Sequence, residues 1–365
     1  MSGILELPGR VASLPQAARE RLERLYAIEV VEGTTDPPPE MADWLTRQFG
    51  SVDAVRHQRI ARVLNRWTLD GALFSPLRSR RPQDGAEVQH VEAGAPAGSA
   101  DPFCHPETGT PAAPWGRVES EHAVSGANAA MYDGQHGVLV FRRHDPLAFD
   151  EESVVDVFAL GRRWADAARR ADPQACNYLL IWNCGPRAGG SVVHGHAQVL
   201  LGRGAHYPQV ERLRRDAGRY RAATGSAYLP DLVAAHRDLG LVLAERDGVA
   251  TLASLAPVKE RELLVIGPPG MDERDPAFSR GVARTVIAYR DVLGVRAFNL
   301  ALHRRPIGPE GEAPGWADVG PVVHLVDRGD PGSTSSDIGA MELYAASVVG
   351  GDPYDLADRL REVLA

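Results

Sequence analysis

The sequence predicts an α+β protein made of two tandem half-barrel repeats with antiparallel sheets and flanking helices. The main observation is that one order of elements occurs twice: a strand, a long helix, a strand, a loop rich in glycine or proline, and a final strand. The first copy comprises strand 137–141, helix 151–170, strand 178–183, a glycine-rich loop and strand 192–201. The second copy comprises strand 262–266, helix 276–293, strand 297–302, a loop at 306–320 and strand 321–326.

This duplication divides the chain into three predicted parts. Residues 1–60 form an N-terminal extension, residues 61–205 the first repeat, and residues 206–365 the second repeat with a C-terminal helix. Residues 84–117 are rich in Gly, Pro and Ala, which predicts a long loop. The sequence thus implies one active and one supporting repeat, since the histidine pair described below occurs in the first repeat alone.

The N-terminal extension is predicted to be helical. Leu22, Leu25 and Tyr26 have helical spacing within a helix expected from 15 to 31, and a second helix is expected through Trp44, Phe49 and Val55. The extension could pack on the core or at a subunit contact, and a lid over the substrate is the alternative.

Composition restricts the class of protein. The chain has 365 residues with 44% apolar content, enough to fill sizeable cores, and its net charge of −8 argues against nucleic-acid binding. Cys104, Cys176 and Cys184 give no disulfide framework, which indicates a reducing compartment. The first residues lack the basic and apolar regions of a secretion signal, and no stretch approaches the roughly 18 apolar residues of a membrane span. We therefore expect a cytoplasmic protein without a membrane partner.

The most informative segment is 191–198, which follows a glycine-rich run at 183–190. His194 and His196 are two residues apart on a predicted strand, so their side chains are expected on one face, about 6.5 Å apart. Backbone amides of a glycine-rich loop can hold phosphate oxygens while an imidazole nitrogen attacks phosphorus. The simpler alternative is that one histidine is a hydrogen-bonded core residue.

The pattern Ser-x-x-His-x-His-x-Gln at 191–198 resembles the active-site segment of the galactose-1-phosphate uridylyltransferases, within the histidine-triad superfamily. Two more segments strengthen the resemblance: Ser-Pro-x-Arg-x-x-Arg-Pro at 75–82, and the closing strand 323–325 with the segment 338–342. Gly195 and Ala197 depart from the family's spacer residues. The resemblance implies two histidine-triad-like repeats, the first carrying the active site.

The resemblance also implies an activity. The protein would exchange a nucleoside monophosphate, with UMP the first guess, between a nucleotide-sugar or nucleoside triphosphate and a sugar-1-phosphate, through a covalent nucleotidyl-histidine. His196 matches the attacking histidine, and Gln198 would donate to a phosphoryl oxygen. The free nitrogen of His196 keeps its lone pair only if the other nitrogen has an acceptor, and a backbone carbonyl is expected.

The resemblance implies a further set of substrate-binding residues. Arg78 and Arg81 would neutralise the charge of one phosphate. Ser191, with the amides of Gly189 and Gly190, would bind the other phosphate, and Asn183 would lie near the nucleotide. For the arginines, a solvated basic face is the alternative.

A zinc site is possible beside the active site. His144 and His194 match two histidine ligands of the family, and Asp101 and Cys104 take the place of its cysteine pair. Aspartate can ligate zinc, so these four residues are a candidate metal site, with a metal-free site held by hydrogen bonds as the alternative. No organic cofactor is expected.

The family's second metal site uses one glutamate and three histidines. His303 and His324 match two of the histidines and Glu211 is a shifted candidate for the glutamate, but Val322 stands where another histidine would be. We expect this site to be empty or weak.

The residues near the nucleotide base leave specificity open. The family's Asn-Asp-Phe segment falls at 126–128, where this chain has neither the Asp nor the Phe, so another base or sugar could be accepted. Two alternative functions are a dinucleoside polyphosphate phosphorylase or hydrolase, and a nucleotide-binding regulator with degraded catalysis. The intact His196 and Gln198 argue against the regulator. A homodimer is expected from the resemblance.

Overall fold

The computed structural model describes residues 3–80, 101–333 and 336–365. The strands are β1 Tyr26–Thr34, β2 His57–Asn65, β3 Gly71–Phe74, β4 Ala123–Ala127, β5 His136–Phe141, β6 Ala175–Cys184, β7 His196–Arg203, β8 Val242–Arg246, β9 Val249–Ala253, β10 Leu263–Ile266, β11 Phe298–His303, β12 Val322–Asp327 and β13 Ser347–Val349. The helices are α1 Leu7–Ala12, α2 Gln16–Leu25, α3 Ala42–Phe49, α4 Val52–Arg56, α5 Pro106–Gly109, α6 Glu151–Ala171, α7 Pro208–Thr224, α8 Tyr228–Asp238, α9 Pro276–Asp291, α10 Ala340–Tyr344 and α11 Pro353–Leu364.

The two repeats form one antiparallel sheet of nine strands, in the order β4-β5-β7-β6-β11-β12-β10-β9-β8. Strands β6 and β11 pair at the centre, with Ile181 opposite Ala301. On either side of this pair the strand order is equivalent: β7, β5 and β4 in one direction, and β12, β10 and β9 in the other. The predicted α+β fold with duplicated antiparallel elements is confirmed.

The long helices α6 and α9 cover one face of this sheet. Gly161 allows α6 to approach closely, since a Cβ there would lie 3.2 Å from Leu180 and 3.4 Å from Leu139. Gly281 of α9 faces Val249 and Val265 in the second repeat in the same way. Because side chains alternate along a strand, the neighbours of these core residues point to the opposite face, where the candidate site lies.

The N-terminal part differs from the prediction of a helix from 15 to 31. Helix α2 ends at Leu25, and the β-branched run that follows forms strand β1, which pairs with β2 along its whole length. The second predicted helix is two helices, α3 and α4, because Gly50 adopts a positive φ of 92° and the Ser51 side chain then caps α4. Together β1, β2, β3 and β13 make a four-stranded sheet.

Strand β7 begins at His196 rather than at 192, so the two histidines of the motif do not share a strand. The preceding segment bends, and the Gly195 N–H donates to the His144 carbonyl at 3.2 Å. The division of the chain at residues 60 and 205 stays a prediction. Within the described residues, no helix is both long enough and apolar enough to span a lipid bilayer.

Candidate active site and metal centre

The open face of the sheet carries the motif residues. Strand register aligns Val138, Gln198, Ile181, Ala301 and His324 in one row across five strands. His196 precedes Gln198 by two residues on β7, so by alternation it lies on the same face. The sheet thus displays polar side chains from both repeats on one continuous surface.

His196 is buried, with 6% of its surface exposed, and its ring orientation is defined by one hydrogen bond. Its Nδ1 lies 2.9 Å from the carbonyl oxygen of His194, the backbone acceptor that the chemistry requires. Because a carbonyl can only accept, Nδ1 carries the proton, and Nε2 of the neutral ring keeps its lone pair. Burial lowers the pKa of His196 below its ordinary value of 6.5.

Gln198 is held by a histidine that the sequence reasoning missed. His136, which is 1% exposed, accepts a hydrogen bond from the Tyr132 N–H at Nδ1, 3.1 Å away. Its proton therefore lies on Nε2, which donates to Gln198 Oε1 at 2.9 Å. The Gln198 amide group then presents its N–H donors to a ligand. The signal in the sequence was a histidine at the start of the predicted strand 137–141.

We expect His136→Leu to lower turnover about tenfold with a smaller change in KM, because Gln198 loses the partner that orients it. Steady-state kinetics of the single and double variants with Gln198→Leu measure this. If Gln198 is the intermediary, His136→Leu has little additional effect in the Gln198→Leu background. Equal losses in both backgrounds would contradict the orienting role, and His136→Gln, which retains a donor, should recover part of the activity.

Asp101, Cys104, His144 and His194 come together as a possible metal-binding group. Cys104 Sγ lies 3.3 Å from Asp101 Oδ2, 3.4 Å from His144 Nδ1 and 3.8 Å from His194 Nδ1. The two Nδ1 atoms are 3.2 Å apart, and Asp101 oxygens lie 3.3 and 3.5 Å from them. Bonds of zinc to nitrogen, oxygen and sulfur imply tetrahedral edges of about 3.3–3.6 Å. The spacing of these four atoms therefore fits a zinc ion.

The protonation of the group also suits a cation. His194 Nε2 lies 2.7 Å from the Phe141 carbonyl, so Nε2 carries the proton and Nδ1 offers its lone pair to the group. Burial raises the pKa of Asp101, but hydrogen bonds from Cys104 and the Phe103 N–H outweigh this and keep that pKa below 3.8. Burial and the adjacent carboxylate raise the pKa of the Cys104 thiol, whereas a bound cation would favour its thiolate.

The glycine loop differs from its predicted role. Gly189 has a φ of 90°, and its N–H donates to the Pro186 carbonyl, while the Gly190 N–H donates to the Gly185 carbonyl. These two amides are therefore not available to phosphate in this conformation. The N–H groups of 191–193 have no hydrogen-bond partner in the described chain. The open amides thus begin at Ser191, a predicted binding residue, and run toward His196.

Asn183 is connected to the second repeat. Its Oδ1 accepts from Asn299 Nδ2 at 2.7 Å, and the same amide donates to the Ala188 carbonyl in the glycine loop at 2.8 Å. Arg328 in turn donates to Asn299 Oδ1 at 2.5 Å and pairs with Asp337. Asn299 and Arg328 were not predicted, because they lie more than a hundred residues from Asn183. The β6–β11 pairing sets Asn299 opposite Asn183, and Arg328 is connected to Asn183 through Asn299.

Apolar side chains lie beside His196. Val124, Val138 and Val140 form a cluster on which Phe103 packs. The Phe103 ring also meets the His196 ring edge-on, with the centroids 5.0 Å apart. The residue between the two histidines, Gly195, packs so closely on the Phe141 ring that a Cβ there would lie 2.8 Å from it. A side chain at position 195 would therefore clash with Phe141.

The predicted arginines are not brought to this site by any described contact. Arg78 is exposed and lies in the short 3-10 helix Pro76–Arg80. This helix follows β3, a strand of the four-stranded sheet. Arg81 lies outside the described residues. Their role in binding phosphate stays a prediction.

The glutamate suggested for a second metal site is engaged elsewhere. Glu211 is not its carboxylate, because its oxygens pair with Arg214 and Arg215 at 2.5 and 2.7 Å. His324 Nδ1 instead lies 2.9 Å from Glu262 Oε1. Among the described residues the group of Asp101 is the one set of metal-ligand type.

Comparison with known proteins supports the fold. Neither the models of known families nor the curated proteins match this sequence. An ADP-glucose phosphorylase from Arabidopsis thaliana, solved with bound ADP-glucose, gives a TM-score of 0.63 at 18% identity, covering 80% of this chain and 95% of the other. A GalT-like protein from Arabidopsis thaliana gives 0.57 at 17% identity, covering 72% and 91%. A uridylyltransferase gives 0.56 at 16% identity, covering 84% and 98%. The predicted resemblance to the uridylyltransferases is thus confirmed for the fold.

Proposed function

We propose that the protein is a nucleotidyltransferase that passes a nucleoside monophosphate from a nucleotide-sugar to a sugar-1-phosphate through a covalent nucleotidyl-His196. The observation that carries this proposal is the geometry of His196. It is a buried, neutral imidazole whose Nδ1–H is held by the His194 carbonyl, on a sheet face next to open backbone amides. A ring held by a carbonyl also occurs at the core residue His236, so it is the position of His196 beside Gln198 and the open amides that supports its role as the nucleophile.

The transfer would occur in two displacements. His196 Nε2 attacks the phosphorus of the nucleoside monophosphate group, a P–N bond forms, and the P–O bond to the sugar phosphate breaks. A phosphate oxygen of the acceptor then attacks the same phosphorus, and the P–N bond breaks to regenerate neutral His196. The Gln198 amide and the N–H groups from Ser191 onward would donate to the phosphoryl oxygens as charge develops on them.

The candidate metal centre would order the loop before His196 and would not take part in the chemical step. Asp101, Cys104, His144 and His194 would hold a zinc ion, whose charge would fix the loop that precedes His196. The His194 carbonyl is the acceptor of the His196 proton, so ordering His194 also orders the nucleophile. Phe103, which packs on the buried Val124, Val138 and Val140, would offer its partly exposed ring as an apolar surface for the nucleotide base.

The donor is proposed to be UDP-glucose, as a UMP donor, with ADP-glucose as the second candidate because a protein of the same fold was solved with ADP-glucose bound. Sugar-1-phosphate and inorganic phosphate both offer an attacking oxygen, so the acceptor decides between a transferase and a phosphorylase. A homodimer and a cytoplasmic location remain predictions.

Exchange of isotopic label tests the proposal. The protein is incubated with labelled glucose-1-phosphate or galactose-1-phosphate and either UDP-glucose or ADP-glucose, in parallel with labelled inorganic phosphate and with diadenosine tetraphosphate. Label in the nucleotide-sugar supports the transferase. Release of a nucleoside diphosphate only with phosphate would instead identify a phosphorylase, and nucleotide binding without exchange in any arm would identify a regulator.

The pH dependence follows from the state of His196. Because its pKa lies below 6.5, more than half of the rings are neutral at pH 6.5, and half of the attacking lone pairs are lost only at a lower pH. We expect the rate constant for adduct formation to decline as pH falls, with the midpoint of the decline below pH 6.5. Single-turnover measurements by rapid quench check this, and a decline centred at or above pH 6.5 would contradict the assigned protonation state.

A further inference from the structure

A second cavity, of about 470 Å³, lies on the same sheet face in the second repeat. Its floor comes from β10, β11 and β12, and its other walls from β1, the end of β2 and helices α7 and α8. Within the described chain, no residue of β4 to β7 lines it. The cavity therefore contains none of the motif residues, although it adjoins the His196 site at Asn299, whose amide donates to Asn183. Its volume is within the range of about 300–1,000 Å³ typical of small-molecule sites.

Two imidazoles face this cavity. His324 Nδ1 lies 2.9 Å from Glu262 Oε1, which orients its ring, and Glu262 also accepts from the Val258 N–H at 3.0 Å. Glu262 is 3% exposed and fully engaged by these contacts. The His303 ring lies beside His324, with centroids 4.7 Å apart, and in the described chain it has no hydrogen bond. The cavity thus offers imidazole nitrogens that a ligand can pair with.

The charges at the cavity disfavour a phosphate group. Arg212, the cation among the described lining residues, is paired with Asp70 at 2.6 Å. Arg304 follows His303 and points to the other face by strand alternation, where it pairs with Glu273 at 2.9 Å. With Glu262 inside and no unpaired cation on the described lining, an anionic ligand would be desolvated without compensation.

The remaining lining suits a flat, partly apolar molecule with hydroxyl groups. Leu229, Leu232, Leu264 and Ile266 supply apolar surface. Hydroxyl groups from Thr68, Ser254 and Tyr228 also line the cavity. A heteroaromatic ring could bury its faces against the apolar side chains and pair its edge with the imidazoles, and the hydroxyl groups of a sugar could meet the protein hydroxyls.

We propose that this cavity is a second binding site, which takes an uncharged nucleoside and is distinct from the nucleotidyl-transfer site. Adenosine, guanosine, cytidine and uridine are the probes. Hydrogen–deuterium exchange of the full chain, with and without each nucleoside, locates binding. At least one nucleoside should protect α8 and the segment 254–266, and its 5′-monophosphate should bind there at least about tenfold more weakly, since the phosphate finds no cation.

Matched variants make the test specific. Ala301→Phe places a ring over the partly exposed cavity floor and should abolish this protection, whereas Ala223→Phe, on the exposed side of α7, should leave it unchanged. His303→Leu should weaken affinity about tenfold through loss of a hydrogen bond. His196→Asn should leave the protection intact, so the result is independent of the proposed transferase activity. Protection confined to β5–β7, protection that survives Ala301→Phe, or none with any nucleoside would overturn the proposal.

Discussion

His196→Asn is expected to reduce nucleotidyl transfer by at least about 10⁴-fold and to abolish the covalent adduct. Asparagine is close in size, and its amide can donate to the His194 carbonyl as Nδ1 does at 2.9 Å in the native protein. It has no nitrogen lone pair that can attack phosphorus. Exchange of label measures the transfer, and intact-protein mass spectrometry after incubation with the nucleotide-sugar measures the adduct.

The control is binding of the nucleotide-sugar by the same variant, which calorimetry should find largely unchanged. His194→Asn provides a second comparison: it disturbs the metal group and the carbonyl that holds His196, so a reduced but measurable adduct is expected. Wild-type kinetics should be ping-pong. If His196→Asn retains an acid-labile nucleotidyl adduct, another residue is the nucleophile.

Cys104→Ser is expected to remove bound zinc and to lower the free energy of unfolding by at least about 2 kcal/mol. The turnover rate of the molecules that remain folded should change less than the stability does. Cys104 lies 3.4 Å from His144 Nδ1 and 3.3 Å from Asp101 Oδ2, so it is one corner of the metal group. It does not contact His196 in the described structure. Thermal unfolding and elemental analysis of the purified variant give the two measurements.

Cys176→Ser is the matched control, since Cys176 is a free cysteine that lies outside the metal group. It should retain the zinc content of the wild type. Wild-type protein purified without chelators should contain about one zinc per chain, and Zn²⁺ added after chelation should restore its stability. Protein without zinc at this step, or a Cys104→Ser variant as stable as the wild type, would show that hydrogen bonds alone hold the group.

Sequence reasoning was correct where the spacing of apolar residues along the chain indicates the type of element. The duplicated order of strands and helices gave the fold, since periodicity reports the buried face of each element. The same reasoning failed for 26–31, where the apolar positions of a helix and of a strand overlap and the pairing of β1 with β2 decides the outcome. The sequence reasoning also predicted wrongly that His194 lies on a strand. No local pattern shows that the segment before His196 bends toward the His144 carbonyl.

At the candidate site, the sequence by itself predicted the residues that we propose for nucleotidyl transfer, His196 and Gln198, and for metal binding, Asp101, Cys104, His144 and His194. The tertiary structure alone decided how they are held. It showed that His136 orients Gln198, that Asn299 of the second repeat holds Asn183, and that the amides of Gly189 and Gly190 are already engaged. These contacts join residues far apart in the chain, and strand register and loop conformation determine them, so no local sequence pattern could encode them.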